Sequence, residues 1–311
     1  MRVAVLGPGG VGGLLAGALW RSGAEVVVVA RGSTAELIGR DGISIQSVRF
    51  GDFTARPRAA AQLREPVDAL LVATKAAGLE SALERVEGAS SSEREPAVVL
   101  PLLNGLDHLA LLRERFPADS VLAGSIRVEA DRPRAGAVVH TSPFLLVSMA
   151  SHAPSAEPRM RALAAAFERA EVPAQVRLPI SYASEAQVLW SKLVRLNALA
   201  CTTSAYDVLL GEIRSTPALR ADLEGAIEEA CAIGRAEGAP DVDPAKAIAE
   251  LEAAHATLGS SMQRDIAAGR EPELDAIPGS VLRAGARHGI ACPTIERLVA
   301  LIEARIAARA A

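Results

Sequence analysis

Short apolar runs of strand length punctuate the first half of the chain. Val3-Ala4-Val5-Leu6 opens the pattern, and Val26 to Ala30, Val67 to Ala73 and Ala97 to Leu100 repeat it. These runs are almost unbroken by polar residues, as in strands buried on both faces of a parallel sheet. Helical spacing links them from the glycines near Gly10 to Arg21, and again from Lys75 to about Glu87. Ile43 to Gln46, the stretch near Phe53, Ser120 to Ile126, Ala137 to His140 and Phe144 to Met149 add β-like segments, and Ser90 to Pro96 reads as a polar loop. Beyond Pro179 the character changes. From Ser181 onward the pattern is helical nearly throughout, with Asp243-Pro244 predicting an N-cap followed by a first-turn proline. Prolines cluster from Pro173 to Pro179, so the pattern predicts an α/β domain over residues 1–178 and an all-helical domain over 179–311.

The first strand runs into Gly7-Pro8-Gly9-Gly10-Val11-Gly12, a G-x-G-x-x-G turn in strand–turn–helix–strand order. Gly7 suits the tight turn, Gly9 lets backbone approach a pyrophosphate, and Gly12 lets the helix pack close to the strand. Phosphates at such a turn meet the unpaired N–H groups and positive dipole end of a helix, here near Gly10. The first domain is therefore expected to be a Rossmann-like dinucleotide-binding domain. At the end of the second strand, where an acid would hold a ribose 2′-hydroxyl, the chain reads Val29-Ala30-Arg31-Gly32-Ser33. A missing acid and a bidentate cation at Arg31 together predict NADP(H) rather than NAD(H).

Composition narrows the partners. Half of the 311 residues are hydrophobic but aromatics are only 3 %, so the core is built from Ala, Val and Leu. A net charge of −4 with no basic stripe argues against nucleic acid. No apolar run reaches membrane-spanning length, and the first strand follows the N-terminus with no leader pattern, which suits a cytoplasmic protein. Cys201, Cys231 and Cys292 are widely spaced and odd in number, as reduced buried thiols are. No histidine spacing suggests a metal site.

Four further segments carry a family resemblance: Thr74-Lys75, Leu103-Asn104-Gly105, Leu189-Trp190-Ser191-Lys192-Leu193, and Ser260-Ser261-Met262-Gln263-Arg264-Asp265 with Gly269-Arg270-Glu271-Pro272-Glu273-Leu274-Asp275. With the glycine turn they resemble the ketopantoate (2-dehydropantoate) 2-reductase family over nearly the whole chain. The resemblance implies NADPH-dependent reduction of a 2-oxo acid, ketopantoate to pantoate foremost. It implies Lys192 as proton donor, Glu273 as its acidic partner, Asn104 near nicotinamide and substrate, Lys75 in the cofactor cleft and Ser261 at the substrate carboxylate. The residue types agree with that chemistry, since an ammonium stabilises the charge that builds on oxygen as hydride reaches a ketone carbon.

The chain also departs from the family pattern. Family members acting on ketopantoate show asparagines four and eight residues beyond the lysine, where this chain has Leu196 and Ala200. Asn197 points roughly 140° away from Lys192 on a regular helix, whereas Thr203 returns to within about 20° and is expected to lend a hydroxyl to the substrate. Two other readings stay open: a same-fold reductase of a more apolar 2-oxo acid or related carbonyl, and a module that senses NADP(H) without turnover. Arg127 and Glu129 read as a surface ion pair or as cleft residues. Ile295, Leu298, Leu301 and Ile302 form an apolar seam that suits either core or a homodimer interface.

Overall fold

The computed structural model describes residues 1–89 and 96–310. The polar stretch expected as a loop falls, apart from Pro96, outside the described residues. The chain divides into two compact units, Met1–Leu103 with His108–Val188, and Asn104–Asp107 with Leu189–Ala311.

The first unit is built on a five-stranded parallel sheet: β1 (Arg2–Leu6), β2 (Glu25–Val29), β5 (Arg58–Ala60), β6 (Ala69–Val72) and β7 (Val98–Pro101), in the order β5-β2-β1-β6-β7. β1 is central. Val3 registers with Val26 on one side and Ala69 on the other, so the strand order reverses at β1. In doubly wound sheets, ligands bind outside the carboxyl ends of the strands at such a switch point. Helix α1 (Gly10–Arg21) follows β1 and buries Leu14, Leu15, Ala18 and Leu19; α2 (Gly32–Asp41) follows β2. The helix expected from Lys75 to Glu87 is shorter. A 3₁₀ turn over Ala76–Gly78 leads into α3 (Leu79–Leu83), where Gly78 weakens a longer helical run.

The remaining β segments leave this parallel sheet. β3 (Ile43–Ser47), β4 (Phe53–Ala55), β9 (Ala130–Arg134) and β10 (Ala137–His140) form a mixed sheet ordered β4-β3-β10-β9. β8 (Ala123–Arg127), β11 (Leu146–Ala150) and β12 (Ala174–Val176) form another, ordered β12-β11-β8. The reason is visible in β3, whose burial strictly alternates; a strand with one polar face cannot lie inside a sheet covered on both sides. α4 (His108–Arg115) and α5 (Glu157–Arg169) complete the unit.

A directional hydrogen-bond chain crosses the first mixed sheet. Ser47 Oγ accepts the N–H groups of Arg49 (3.2 Å) and Phe50 (3.0 Å), so its own proton goes to His140 Nδ1 at 2.8 Å. His140 Nε2 then faces Ser142 Oγ at 3.3 Å, and Ser142 donates to the Phe144 carbonyl at 2.7 Å. This chain requires a neutral imidazole. Burial, aided by the charge of Arg49, holds His140 below its ordinary value.

Helix α6 (Tyr182–Tyr206) leads into the second unit, which is helical: α7 (Leu210–Ser215), α8 (Pro217–Ala236), α9 (Pro244–Glu252), α10 (Ser261–Ala267), α11 (Ser280–His288) and α12 (Pro293–Ala310). Asp243 caps α9 as its sequence predicts, accepting from the N–H groups of Ala245 and Lys246 with Pro244 at the first position. Trp190 of α6 lies on α8 at Gly234, where a Cβ would come within 3.1 Å of the indole. The apolar seam of α12 is mainly core of this unit: Ile295, Leu298 and Ile302 have no exposed surface, and Leu301 alone faces out. All three cysteines are free and buried. Among the described residues no helix is long and apolar enough to cross a membrane, and no cluster could hold a metal ion.

Candidate active site

In the first unit the carboxyl end of β1 turns sharply at Gly7, whose φ of +89° suits glycine. Gly7 N–H donates to Val29 O at 3.1 Å, which ties the turn to β2, and Gly13 N–H closes the first helical bond on Gly9 O at 2.9 Å. The glycines differ in what a side chain would strike. A Cβ on Gly12 would sit 2.2 Å from Gly7 O, and one on Gly10 would sit 2.0 Å from Ala130 O. Both are required by the protein's own packing. A Cβ on Gly9 would meet nothing nearer than Ala73 O at 3.9 Å. The packing of the fold does not need Gly9 to be bare, and the space beside it is open.

Two neighbours fit the same picture. Thr74 follows β6 beside Gly7, and its hydroxyl is buried with no hydrogen-bond partner among the described residues. A buried hydroxyl without a partner is costly, and a ligand supplies one. Arg31 is exposed at the N-cap of α2, directly beyond β2, with no acid in the first helical turn. Lys75 is exposed at the N-cap of the 3₁₀ turn after β6. The sequence marks Thr74 as part of the Thr74-Lys75 segment without giving it a role; its place just past the end of a central strand is the signal for one.

In the second unit three residues far apart in sequence form one hydrogen-bonded chain. Lys192 Nζ donates to Asn104 Oδ1 at 2.8 Å, and Asn104 Nδ2 donates to Glu273 Oε2 at 2.8 Å. The amide thus faces a cation with its oxygen and an anion with its nitrogen, which fixes its orientation. Lys192 lies half-buried on α6. Burial pulls its ammonium from the usual 10.5 down to about 8; the Glu273 carboxylate opposes this and Arg195 adds to it.

The backbone explains how Asn104 meets Glu273. Gly105 has a φ of +83°, and a Cβ there would strike Ala276 O at 2.0 Å. The Asn-Gly turn therefore presses against a π turn, Asp275–Gly279, that starts two residues beyond Glu273. Arg283 clamps the two segments, reaching Asp107 Oδ2 and Asp275 Oδ1 at 2.6 Å each. The roles of Gly105, Asp107, Asp275 and Arg283 were not legible beforehand, because each depends on a partner distant in sequence.

Ser261 is exposed at the first position of α10, which Ser260 caps through Gln263 N–H at 3.0 Å. Thr203 must be reassigned. It is fully buried, its Oγ lying 2.6 Å from Leu199 O and 2.8 Å from Ser260 Oγ. A Thr hydroxyl facing the interior of a helix bonds back to its own backbone, so this one supports the Ser260 cap instead of meeting a substrate. Ala200 likewise has no exposed surface, while Leu196 keeps some.

Two family models match the chain: Ketopantoate reductase PanE/ApbA over residues 3–148, and Ketopantoate reductase PanE/ApbA C terminal over residues 186–306. The 2-dehydropantoate 2-reductase of Caulobacter vibrioides is 31 % identical over 314 residues, covering 97 % of this chain and 98 % of that one. The solved 2-dehydropantoate 2-reductase of Geobacter metallireducens GS-15 superposes with a TM-score of 0.86 at 27 % identity, covering 97 % and 99 % of the two chains. A D-mandelate dehydrogenase solved with NADH and anilino(oxo)acetate has a TM-score of 0.87 over 99 % of both chains; at 21 % identity that likeness is one of fold.

Proposed function

The chain belongs to the ketopantoate reductase PanE/ApbA family and is an oxidoreductase acting on a CH–OH group; from that premise we propose that it reduces a small 2-oxo acid, ketopantoate foremost, to the 2-hydroxy acid with NADPH. The observation that carries the reading is the Lys192–Asn104–Glu273 chain. A half-buried ammonium near 8 holds its proton at neutral pH yet parts with it readily, which is what a general acid needs. Lys192 gives that proton to the carbonyl oxygen as negative charge builds there. Asn104 holds Nζ in place, and Glu273 offsets the cost of keeping a cation out of water. Ser261, exposed at the start of α10, receives the substrate carboxylate on this reading.

The dinucleotide is assigned to the glycine turn of the first unit. The open face of Gly9, the N-terminus of α1 and the unpaired Thr74 hydroxyl suit a pyrophosphate group. Arg31 suits a 2′-phosphate, and Lys75 adds a second cation. When bound, NADPH supplies the hydride. We place the reaction in the cytosol, where three unpaired buried thiols stay reduced.

A second reading is favoured by Leu196. It lies about 40° from Lys192 around α6 and is only half-buried, so it offers the substrate an apolar surface. On that reading 2-oxo acids with plain alkyl chains compete well with ketopantoate. NADPH oxidation across a panel of 2-oxo acids separates the cases. Efficient turnover of ketopantoate supports the first, and a higher kcat/KM for alkyl analogues supports the second. Saturable NADPH binding with no turnover of any panel member would leave a sensing module and defeat both. Leu196→Asn should raise kcat/KM for ketopantoate relative to alkyl analogues by about tenfold, the yield of one regained hydrogen bond.

A further inference from the structure

Lys192 has a second cation on its own helix. Arg195 follows three residues later on α6, so the two side chains stand on one face, about 5–6 Å apart at Cβ. Arg195 is not a free surface arginine. Its side chain is 17 % exposed, and its Nε lies 2.9 Å from Oε2 of Glu250, which α9 brings against it. The pair costs α6 something, because a cation beside a half-buried ammonium repels it; a leucine or valine would have packed there without that penalty.

We propose that Arg195, held by Glu250, is a positioning residue for the reaction: it sets a fixed positive charge against the Lys192 ammonium, opposing the carboxylate of Glu273. The inference rests on the reductase reading above and extends it to two residues outside the Lys192–Asn104–Glu273 chain. The charges around Lys192 make the assignment specific. Glu273 acts on it across Asn104, and Arg195 acts on it from its own helix. Arg283 is paired with Asp107 and Asp275, and Arg270 with Asp265. Glu273 alone would make the lysine hold its proton. Arg195 restores its readiness to give the proton up, and Glu250 limits the effect by partial neutralisation.

The test reads Lys192 in the resting protein. The chain has only three lysines, Lys75, Lys192 and Lys246, so protein labelled with ¹³C at lysine Cε gives three resolvable NMR titrations. Loss of one signal in Lys192→Gln assigns it. Arg195→Gln should move the Lys192 midpoint up by about one pH unit, the scale of two nearby cations partly screened by a counter-ion. Arg195→Lys should stay near wild type, since it keeps the charge. Glu250→Gln should move the midpoint down, because it unmasks Arg195. The alkaline limb of 2-oxo acid reduction should follow the same directions. An unchanged midpoint in Arg195→Gln, or an upward move in Glu250→Gln, overturns the proposal. If Arg195→Gln does not fold, the sign of the Glu250→Gln shift decides alone. Midpoints that move as stated without turnover of any 2-oxo acid would defeat the reductase reading, and with it the role in a reaction, and leave only the charge effect of Arg195 on Lys192 standing.

Discussion

Gly9→Ala and Gly12→Ala should separate binding from folding, although the two glycines belong to one motif. At Gly9 the new methyl meets only Ala73 O at 3.9 Å, an ordinary contact, and the backbone there (φ −74°, ψ −162°) is open to alanine. The unfolded chain loses freedom, which stabilises by about 0.4–1 kcal/mol. Alanine is a poorer N-cap than glycine by a similar amount. The two roughly cancel, so the melting temperature should move by less than about 2 °C. At Gly12 the methyl would lie 2.2 Å from Gly7 O, so α1 or the turn must retreat by about 1 Å. Overpacking of that kind costs about 1–3 kcal/mol, or roughly 2–10 °C. NADPH affinity should fall at Gly9 without any loss of stability, whereas at Gly12, where the displaced turn is itself the proposed phosphate site, affinity and stability should fall together. The Gly9 methyl occupies the surface assigned to the pyrophosphate, and losing even one charge-assisted hydrogen bond of about 1.5–3 kcal/mol weakens binding by roughly 10- to 150-fold. Titration of NADPH by fluorescence, beside a thermal melt of each variant, reads both quantities. A Gly9→Ala protein that binds NADPH as tightly as wild type would refute the reasoning, since nothing would then lie against the open face of the turn.

Three other outcomes follow from the same geometry. Lys192→Ala should lower kcat by about 10²–10⁴ with the melting temperature nearly unchanged, and wild-type reduction should fall off above about pH 8, where the ammonium loses its proton; steady-state kinetics from pH 6 to 10 test both. Arg31→Ala should weaken NADPH by roughly tenfold or more and leave NADH nearly unaffected, and equal weakening of both would remove Arg31 from the 2′-phosphate. His140 is held below its ordinary 6.5 in the folded protein, so the unfolded chain binds more protons just beneath that pH. Its contribution is therefore complete above about 6.5 and declines as pH falls toward the folded value. Urea midpoints measured from pH 8 to 5 should drop for wild type, and His140→Gln, with no imidazole to protonate, should show a shallower slope; equal slopes would exclude the Ser47–His140–Ser142 chain as the acid-sensitive element.

What the sequence determined by itself is what neighbours along the chain decide. Unbroken apolar runs at Val3–Leu6 and Val26–Val29 could only be strands covered on both faces. The spacing of Gly7, Gly9 and Gly12 marked the turn, and Asp243-Pro244 marked the start of α9, because turns and caps are contacts over a few residues. Tertiary structure decided everything that needed a distant partner. Asn104 lies 88 residues from Lys192 and 169 from Glu273, and the press of Gly105 against Ala276, with the Arg283 clamp, brings the Asn-Gly turn to the Glu273 segment. Helical angle placed Thr203 on the lysine's face, but angle is not exposure, and packing turned it inward while Leu196 kept some surface. Motif spacing could not tell Gly9 from Gly12 either. Gly12 is bare for the protein's own carbonyl, whereas Gly9 has open space beside it, a difference set by where Gly7 O and Ala73 O lie once the chain has folded.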